Sequence, residues 1–140
     1  MLRLATVEDI DLVYSMAENF IKTTRHKDTY TEEAIKKVIE HLITSPTGVI
    51  VLFEDKGFIA GMISPFFFGD ILQATEVAWW VEPEHRKDGV GDQLLSAFEY
   101  WAKEKMGCKI VSMAALDDKL EKFYVSKGYL LCEHIYLKEL

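Results

Sequence analysis

One segment constrains the fold more than any other, because an apolar strand leads into a glycine-containing loop and then into an amphipathic helix. The strand ends at Trp79-Trp80-Val81, the loop is polar from Glu82 to Asp88, and apolar residues recur at helical spacing from Val90 to Met106. A helix of this kind buries its apolar face against a sheet. The segment therefore predicts an α/β chain.

The same loop predicts an anion site. Gly89 and Gly91 let the backbone approach a ligand, and the first turn of the following helix offers unpaired N–H groups at the positive end of the helix dipole. Neither G-x-G-x-x-G nor G-x-x-x-x-G-K-[ST] occurs here, so a generic nucleotide-binding domain is the weaker interpretation. The pattern that remains is Arg86-x-x-Gly89-x-Gly91.

The rest of the chain predicts a mixed α/β sheet within one domain, residues 1–140, in the order β-α-α-β-β-β-α-β-α-β. Turn residues separate the three strands between residues 49 and 81, so these strands are expected to be antiparallel. Two strand–helix–strand connections follow, and such crossovers make neighbouring strands parallel. The expected strands are 2–5, 49–53, 58–67, 71–81, 109–113 and 129–137. The expected helices cover about 7–22, 32–44, 90–106 and 118–126, with Thr6, Thr29 or Thr31, and Asp117 or Asp118 as N-caps.

Charge and cysteine content narrow the possible functions. The net charge of −7 argues against nucleic acid and against an anionic membrane surface as partners, and it is compatible with a cationic substrate such as an amine. No apolar stretch approaches the length of a membrane span, and the acidic N-terminus does not resemble a secretory signal. Cys108 and Cys132 stand alone without metal-ligand spacing, so we expect a cytoplasmic protein and no bound metal.

Two segments resemble the GNAT (GCN5-related N-acetyltransferase) superfamily. Arg86-x-x-Gly89-x-Gly91 is similar to its [Q/R]-x-x-G-x-[G/A] signature, and Phe123-Tyr124 with Gly128-Tyr129 is similar to its (F/Y)Y-x-x-x-G-(F/Y) segment. The order of elements also agrees over nearly the whole chain. The run from Glu76 to Pro83 resembles small acyltransferases of bacteriophages.

The resemblance implies an N-acetyltransferase that uses acetyl-CoA (coenzyme A) as acyl donor, without a metal. The donor would lie between the strand ending at Val81 and strand 109–113. Its pantetheine would pair with the backbone near Trp79, Trp80 and Val81. Its pyrophosphate would bind N–H groups of Arg86, Lys87, Asp88, Gly89, Val90 and Gly91.

The resemblance also implies roles for side chains. Tyr124 would be the general acid and would also lie beside the cofactor, and Glu76 would be the general base. Strand alternation is expected to put Glu76 on one face with Ala78 and Trp80. The acceptor would be the amine of a small molecule or a protein amino group, beside Arg25, His26 and Tyr30.

Two positions depart from the family pattern. Asp88 stands where a basic residue is common, and Asp117 stands where the family often has an asparagine that contacts the cofactor. An ionised aspartate donates no hydrogen bond, so these positions leave open a catalytically idle GNAT-like interaction module that binds coenzyme A without turnover. A homodimer also stays open.

Overall fold

The computed structural model describes residues 1–140 and follows the predicted order of elements as far as the fourth helix. Its boundaries agree with the expected ones within two residues, apart from two. The first helix begins three residues later than expected, because residues 7–9 form a 3₁₀ turn, and the third helix ends earlier. The strands are β1 (Leu2–Leu4), β2 (Gly48–Phe53), β3 (Gly57–Pro65), β4 (Leu72–Val81) and β5 (Ile110–Ser112). The helices are α1 (Ile10–Ile21), α2 (Glu32–Thr44), α3 (Val90–Tyr100) and α4 (Asp118–Ser126).

Side-chain caps fix two of the helix starts. The Thr31 hydroxyl accepts the Ala34 N–H at the start of α2, and Asp117 Oδ1 accepts the Leu120 N–H at 2.8 Å at the start of α4. A 3₁₀ turn precedes α1, and Thr6 and Asp9 form its capping box. The third helix departs from α geometry after Tyr100, where one wider π turn covers Trp101–Lys105.

The five strands form one sheet in the order β1-β2-β3-β4-β5. The first four are antiparallel, while β5 runs parallel to β4. This parallel pairing covers only Gln73–Thr75 opposite Ile110–Ser112. From Glu76 onward β4 has no neighbour on that side, and a cleft opens between the two strands.

The sheet separates two apolar cores. Helices α1 and α2 cover one face, where Val13 and Phe58 are buried, and α3 covers the other, where Ile59 and Phe98 are buried. Phe58 and Ile59 are consecutive in β3 and enter opposite cores, as strand alternation requires. No helix in the fold combines the length and the apolar character that a membrane crossing requires.

The prediction of a final strand over residues 129–137 is wrong. The chain beyond α4 forms no ladder with any strand, and Leu130, Ile135 and Tyr136 are exposed. A strand needs a partner edge for its backbone hydrogen bonds. The apolar pattern of this segment does not supply one, and the only neighbour of the three-residue β5 is β4.

Candidate active site

A β-bulge in β4 shapes the mouth of the cleft. Gly61 pairs with Glu76, and the preceding Ala60 pairs with Ala78, so Val77 is the extra residue. Gly61 lies against α3, because a Cβ at this position would collide with the Phe98 ring and come within 2.8 Å of the Thr75 carbonyl oxygen. The bulge therefore lies where only glycine fits between β4 and α3.

The bulge overturns one expectation about this strand. Residues paired directly across two strands share a face, so Glu76 lies on the α3 face with Gly61. Ala78 pairs with Ala60 on the α1/α2 face, where Trp80 is also buried. The prediction that Glu76 shares a face with Ala78 and Trp80 is wrong, because the extra residue reverses the alternation.

Glu76 and Tyr124 meet at the backbone of Ala114, just beyond β5. Glu76 Oε1 accepts the Ala114 N–H at 3.2 Å, and Tyr124 Oη donates to the Ala114 carbonyl oxygen at 2.9 Å. Loss of water around the Glu76 carboxyl raises its pKa from 4.5 to about 7, although the Ala114 hydrogen bond opposes the rise. Burial, together with the nearby Glu76 charge, raises the pKa of Tyr124 well above its ordinary value.

The loop after β4 presents backbone donors at the start of α3. Gly89 adopts the left-handed conformation at φ 77°, which favours glycine, and the Gln93 N–H bonds the Gly89 carbonyl oxygen at 3.1 Å. The N–H groups of Val90, Gly91 and Asp92 have no acceptor within the protein. Gly91 packs closely on β4, since a Cβ there would lie 3.4 Å from Trp79 Cζ2. These donors all point out of the N-terminal end of α3.

The charged side chains around this loop are mostly paired. Asp92 binds Lys127 at 2.9 Å, and Asp88 Oδ2 lies 3.3 Å from His85 Nδ1. Arg86 is held on the strand, because its Nε donates to the Val81 carbonyl oxygen at 3.0 Å. Its guanidinium lies 4.7 Å from the centre of the Trp80 ring. Lys87 is exposed.

The other predicted cofactor residues lie on both faces of β4 and at the start of α4. Trp79 stacks on Tyr124 with ring centres 5.9 Å apart, while Trp80 lies on the opposite face with its ring centre 5.8 Å from that of Phe20. Both indole N–H groups are buried without a protein acceptor. Asp117 is exposed, and its carboxylate caps α4.

The predicted acceptor residues separate in the structure. Arg25 and His26 are exposed on the loop between α1 and α2, whereas Tyr30 lines a cavity beneath these helices. Tyr30 Oη donates to Glu18 at 2.9 Å, and Tyr14 Oη donates to the same carboxylate at 3.0 Å. These hydrogen bonds lower the pKa of Glu18, which is therefore anionic at neutral pH.

Sequence reasoning missed Glu18 and Ala114. The spacing of Tyr14 and Glu18 brings them together on one helix, but nothing in the sequence shows that Tyr30 completes the group. Ala114 acts through its backbone, which leaves no signal in the choice of side chain.

Comparison with known proteins agrees with this architecture. The family model of the acetyltransferase (GNAT) family matches residues 13–129, and the chain belongs to this family. An acetyltransferase of Trypanosoma brucei superimposes with a TM-score of 0.78 at 18% identity, covering 100% of this chain and 99% of the other. Among curated proteins there is no sequence match.

Two further solved structures share the fold. A ribosomal-protein-alanine N-acetyltransferase from Brucella melitensis biovar Abortus 2308 has a TM-score of 0.76 at 14% identity, with 100% and 99% of the two chains covered. An aminoglycoside acetyltransferase from an uncultured soil metagenomic sample, in complex with sisomicin, has a TM-score of 0.76 at 17% identity, with 100% and 96% covered. At these identities the likeness shows the fold, and the family confirms acetyl transfer as the general activity.

Proposed function

We propose that residues 1–140 form one catalytic domain that transfers an acetyl group from acetyl-CoA to the primary amine of a small molecule or a protein. The observation that carries the proposal is the meeting of Glu76 and Tyr124 at Ala114, where the β4–β5 cleft opens. A half-buried carboxyl with a pKa of about 7 and a protonated phenol stand together there. Such a pair suits proton removal and proton donation at neutral pH.

The residues present fit coenzyme A. The N–H groups of Val90, Gly91 and Asp92 would hold the pyrophosphate, since a helix N-terminus favours an anion. The departure at Asp88 does not oppose this fit strongly, because its carboxylate is exposed and lies beside His85. Lys87 would add a positive charge. Arg86 would act through its hold on the Val81 carbonyl oxygen, since its own N–H already donates to the Pro83 carbonyl oxygen. The N–H of Asp88 is likewise bonded within the loop, to the His85 carbonyl oxygen.

The open edge of β4 would orient the donor. Residues Glu76 to Val81 have backbone groups on the cleft side that no strand pairs, and the pantetheine of the donor would lie along them. Asp117 is committed to the cap of α4, so we assign it no contact to the cofactor.

Proton transfers by two side chains would accompany the reaction. Acetyl-CoA, when bound, supplies a thioester whose carbonyl carbon accepts the amine nitrogen and whose carbon–sulfur bond breaks. Glu76 Oε2 would take the proton from the attacking nitrogen while the Ala114 N–H holds Oε1. Tyr124 would give its phenolic proton to the departing sulfur, exchanging its Ala114 carbonyl acceptor for that atom.

An amine acceptor agrees with the family and with the charge of the chain. The related structures include an enzyme described for an aminoglycoside and one described for a ribosomal-protein alanine, so both small and protein acceptors occur on this fold. The net charge of −7 favours a cationic acceptor. We propose the cytoplasm as its location, since Cys108 and Cys132 are both free thiols.

Isothermal titration with acetyl-CoA tests the cofactor site. The wild-type protein is expected to bind at micromolar strength, and Gly89→Glu is expected to weaken binding at least tenfold because it places a carboxylate beside the pyrophosphate. Gly107→Glu is the matched control, because Gly107 also has a positive φ of 70° and open space around a Cβ. It lies at the opposite end of the helix. Equal loss of binding in both variants, or no binding by the wild type, would remove this loop from the proposal.

A further inference from the structure

A cavity of about 380 Å³ lies between the sheet and the helices α1 and α2. It runs from Val77 and Ala78 on β4 across β3 to Ile50 on β2, and 15 of its 17 lining residues are hydrophobic. The lining of the cavity includes four alanines, one from each of α1, α2, β3 and β4: Ala17, Ala34, Ala60 and Ala78. Larger residues at these four positions would fill it.

The cavity extends to the bulge in β4. Val77 lines the cavity, is 44% exposed despite being apolar, and directly follows Glu76. The pairing of β4 with β5 ends at Thr75, so no strand covers the edge of β4 between the cavity on one face and the Glu76 carboxyl on the other. Tyr30, which also lines the cavity, donates its hydroxyl to the anionic Glu18.

We propose that this cavity selects the acceptor, and that the acceptor is a small primary amine carrying an apolar chain or ring of about six carbons. This inference rests on the proposed acetyl transfer and specifies its substrate class. The amino group would lie at the bulge near Glu76, and the apolar part would extend beneath α1 and α2.

The chemistry of the lining supports an apolar acceptor over a polyhydroxylated one. A hydroxyl group buried without a partner costs on the order of 1–3 kcal/mol. The lining that belongs to the sheet, from Ile50 to Ala78, offers such a group only apolar side chains. The size also agrees, because an apolar cavity of roughly 150 Å³ is enough to hold benzene. Glu76, the proposed base, favours an amino group at the bulge over a head group that has no proton to give up.

The test is a series of linear amines from ethylamine to hexylamine, assayed by the release of coenzyme A from acetyl-CoA. The amino group is the same in every member of the series, so differences in kcat/KM measure the contribution of the alkyl chain. Each buried methylene is expected to raise kcat/KM about fourfold, which gives about two orders of magnitude from ethylamine to hexylamine. Equal kcat/KM values along the series would overturn the inference.

Ala34→Leu narrows the cavity at its rim without disturbing the helix, because leucine is a good helix former and Ala34 is exposed. It is expected to lower kcat/KM for hexylamine at least tenfold and to leave ethylamine within twofold. Lys37→Leu is the matched control, since it adds a leucine to the exposed face of the same helix and should leave the whole series unchanged. Equal effects of the two variants on hexylamine would contradict the cavity's role.

Two further arms separate this inference from the proposed function. The first arm compares hexanoyl-CoA with acetyl-CoA as donor to ethylamine. If kcat/KM is higher with hexanoyl-CoA, and Ala34→Leu removes that difference, the cavity holds the acyl chain of the donor and the inference is wrong. If no amine releases coenzyme A, the proposed function fails. In that case, titration of hexylamine into the protein with bound coenzyme A tests the cavity by itself. Binding that Ala34→Leu abolishes would support the cavity as a site for apolar amines. Absence of binding would overturn the inference.

Discussion

Replacement of Glu76 by glutamine is expected to stabilise the fold at neutral and alkaline pH while it impairs catalysis. The folded protein raises the pKa of this carboxyl from 4.5 to about 7, chiefly because burial removes water from the charged form. Glutamine has nearly the same shape, cannot ionise, and can still accept the Ala114 N–H through its own Oε1.

The sign of the effect follows from proton binding. Below pH 4.5 the carboxyl is protonated in both the folded and the unfolded chain, and the acid contributes no pH dependence. Between pH 4.5 and about 7 the folded state keeps the proton and the unfolded state has lost it, so stability falls as pH rises. Above that range the carboxylate is charged in both states, and the loss of stability no longer changes with pH.

The magnitude comes from the interval between the two pKa values. Each pKa unit of that interval corresponds to roughly 1.4 kcal/mol. The buried charge therefore costs about 3 kcal/mol of folding stability above pH 8, and partial exposure of the carboxyl makes this an upper limit. The stability difference between Glu76→Gln and wild type should grow from about 1.5 kcal/mol at pH 5.5 to about 3 kcal/mol at pH 8.5. The latter value corresponds to roughly 10 °C in Tm for a chain of this size.

Urea unfolding at a series of pH values measures this difference, because all other titrating groups cancel between the two proteins. Glu33→Gln is the control, since Glu33 is exposed on α2 and bonds only Lys37. A difference between Glu76→Gln and wild type that stays constant from pH 5.5 to 8.5 would refute the reasoning, and Glu76 would then lose its place as a base poised near neutrality.

Two other substitutions probe the same cleft. Tyr124→Phe is expected to lower kcat by about 10²-fold with unchanged affinity for acetyl-CoA, and an unchanged kcat would remove the phenol from the mechanism. Gly61→Ala is expected to lower the free energy of unfolding by about 1–3 kcal/mol, because its methyl group collides with the Phe98 ring beside the bulge. Gly69→Ala, where a Cβ lies 3.7 Å from its nearest neighbour, is the control and should unfold as wild type in urea titrations.

The sequence was sufficient for the fold class and for the elements that carry the loop. Periodic apolar positions, Thr31 and Asp117 as caps, and the glycines of the loop are local signals, and local signals predict the elements correctly from β1 to α4. The final strand failed because pairing depends on a distant edge. Alternating apolar residues after Gly128 have strand character, yet no strand bonds to them.

The face on which Glu76 lies could not be predicted for a related reason. The bulge at Val77 lies where Gly61 packs against Phe98, and these two residues are far apart in the sequence. One inserted residue reverses the alternation for the rest of the strand. The grouping of Tyr14, Glu18 and Tyr30 likewise arises only when α1 and α2 pack on the sheet. The same packing creates the cavity between these helices and the sheet.

The central claim, acetyl transfer to an amine in the cleft between β4 and β5, is tested most directly by amine-dependent release of coenzyme A. Wild-type protein, acetyl-CoA and an amine panel are followed with a thiol reagent, and the acetylated amine is identified by mass spectrometry. We predict release that requires the amine, is lost in Gly89→Glu and is retained in Gly107→Glu. Release at the same slow rate with and without every amine, from a protein that binds acetyl-CoA, would contradict it and favour a module that holds coenzyme A without turnover.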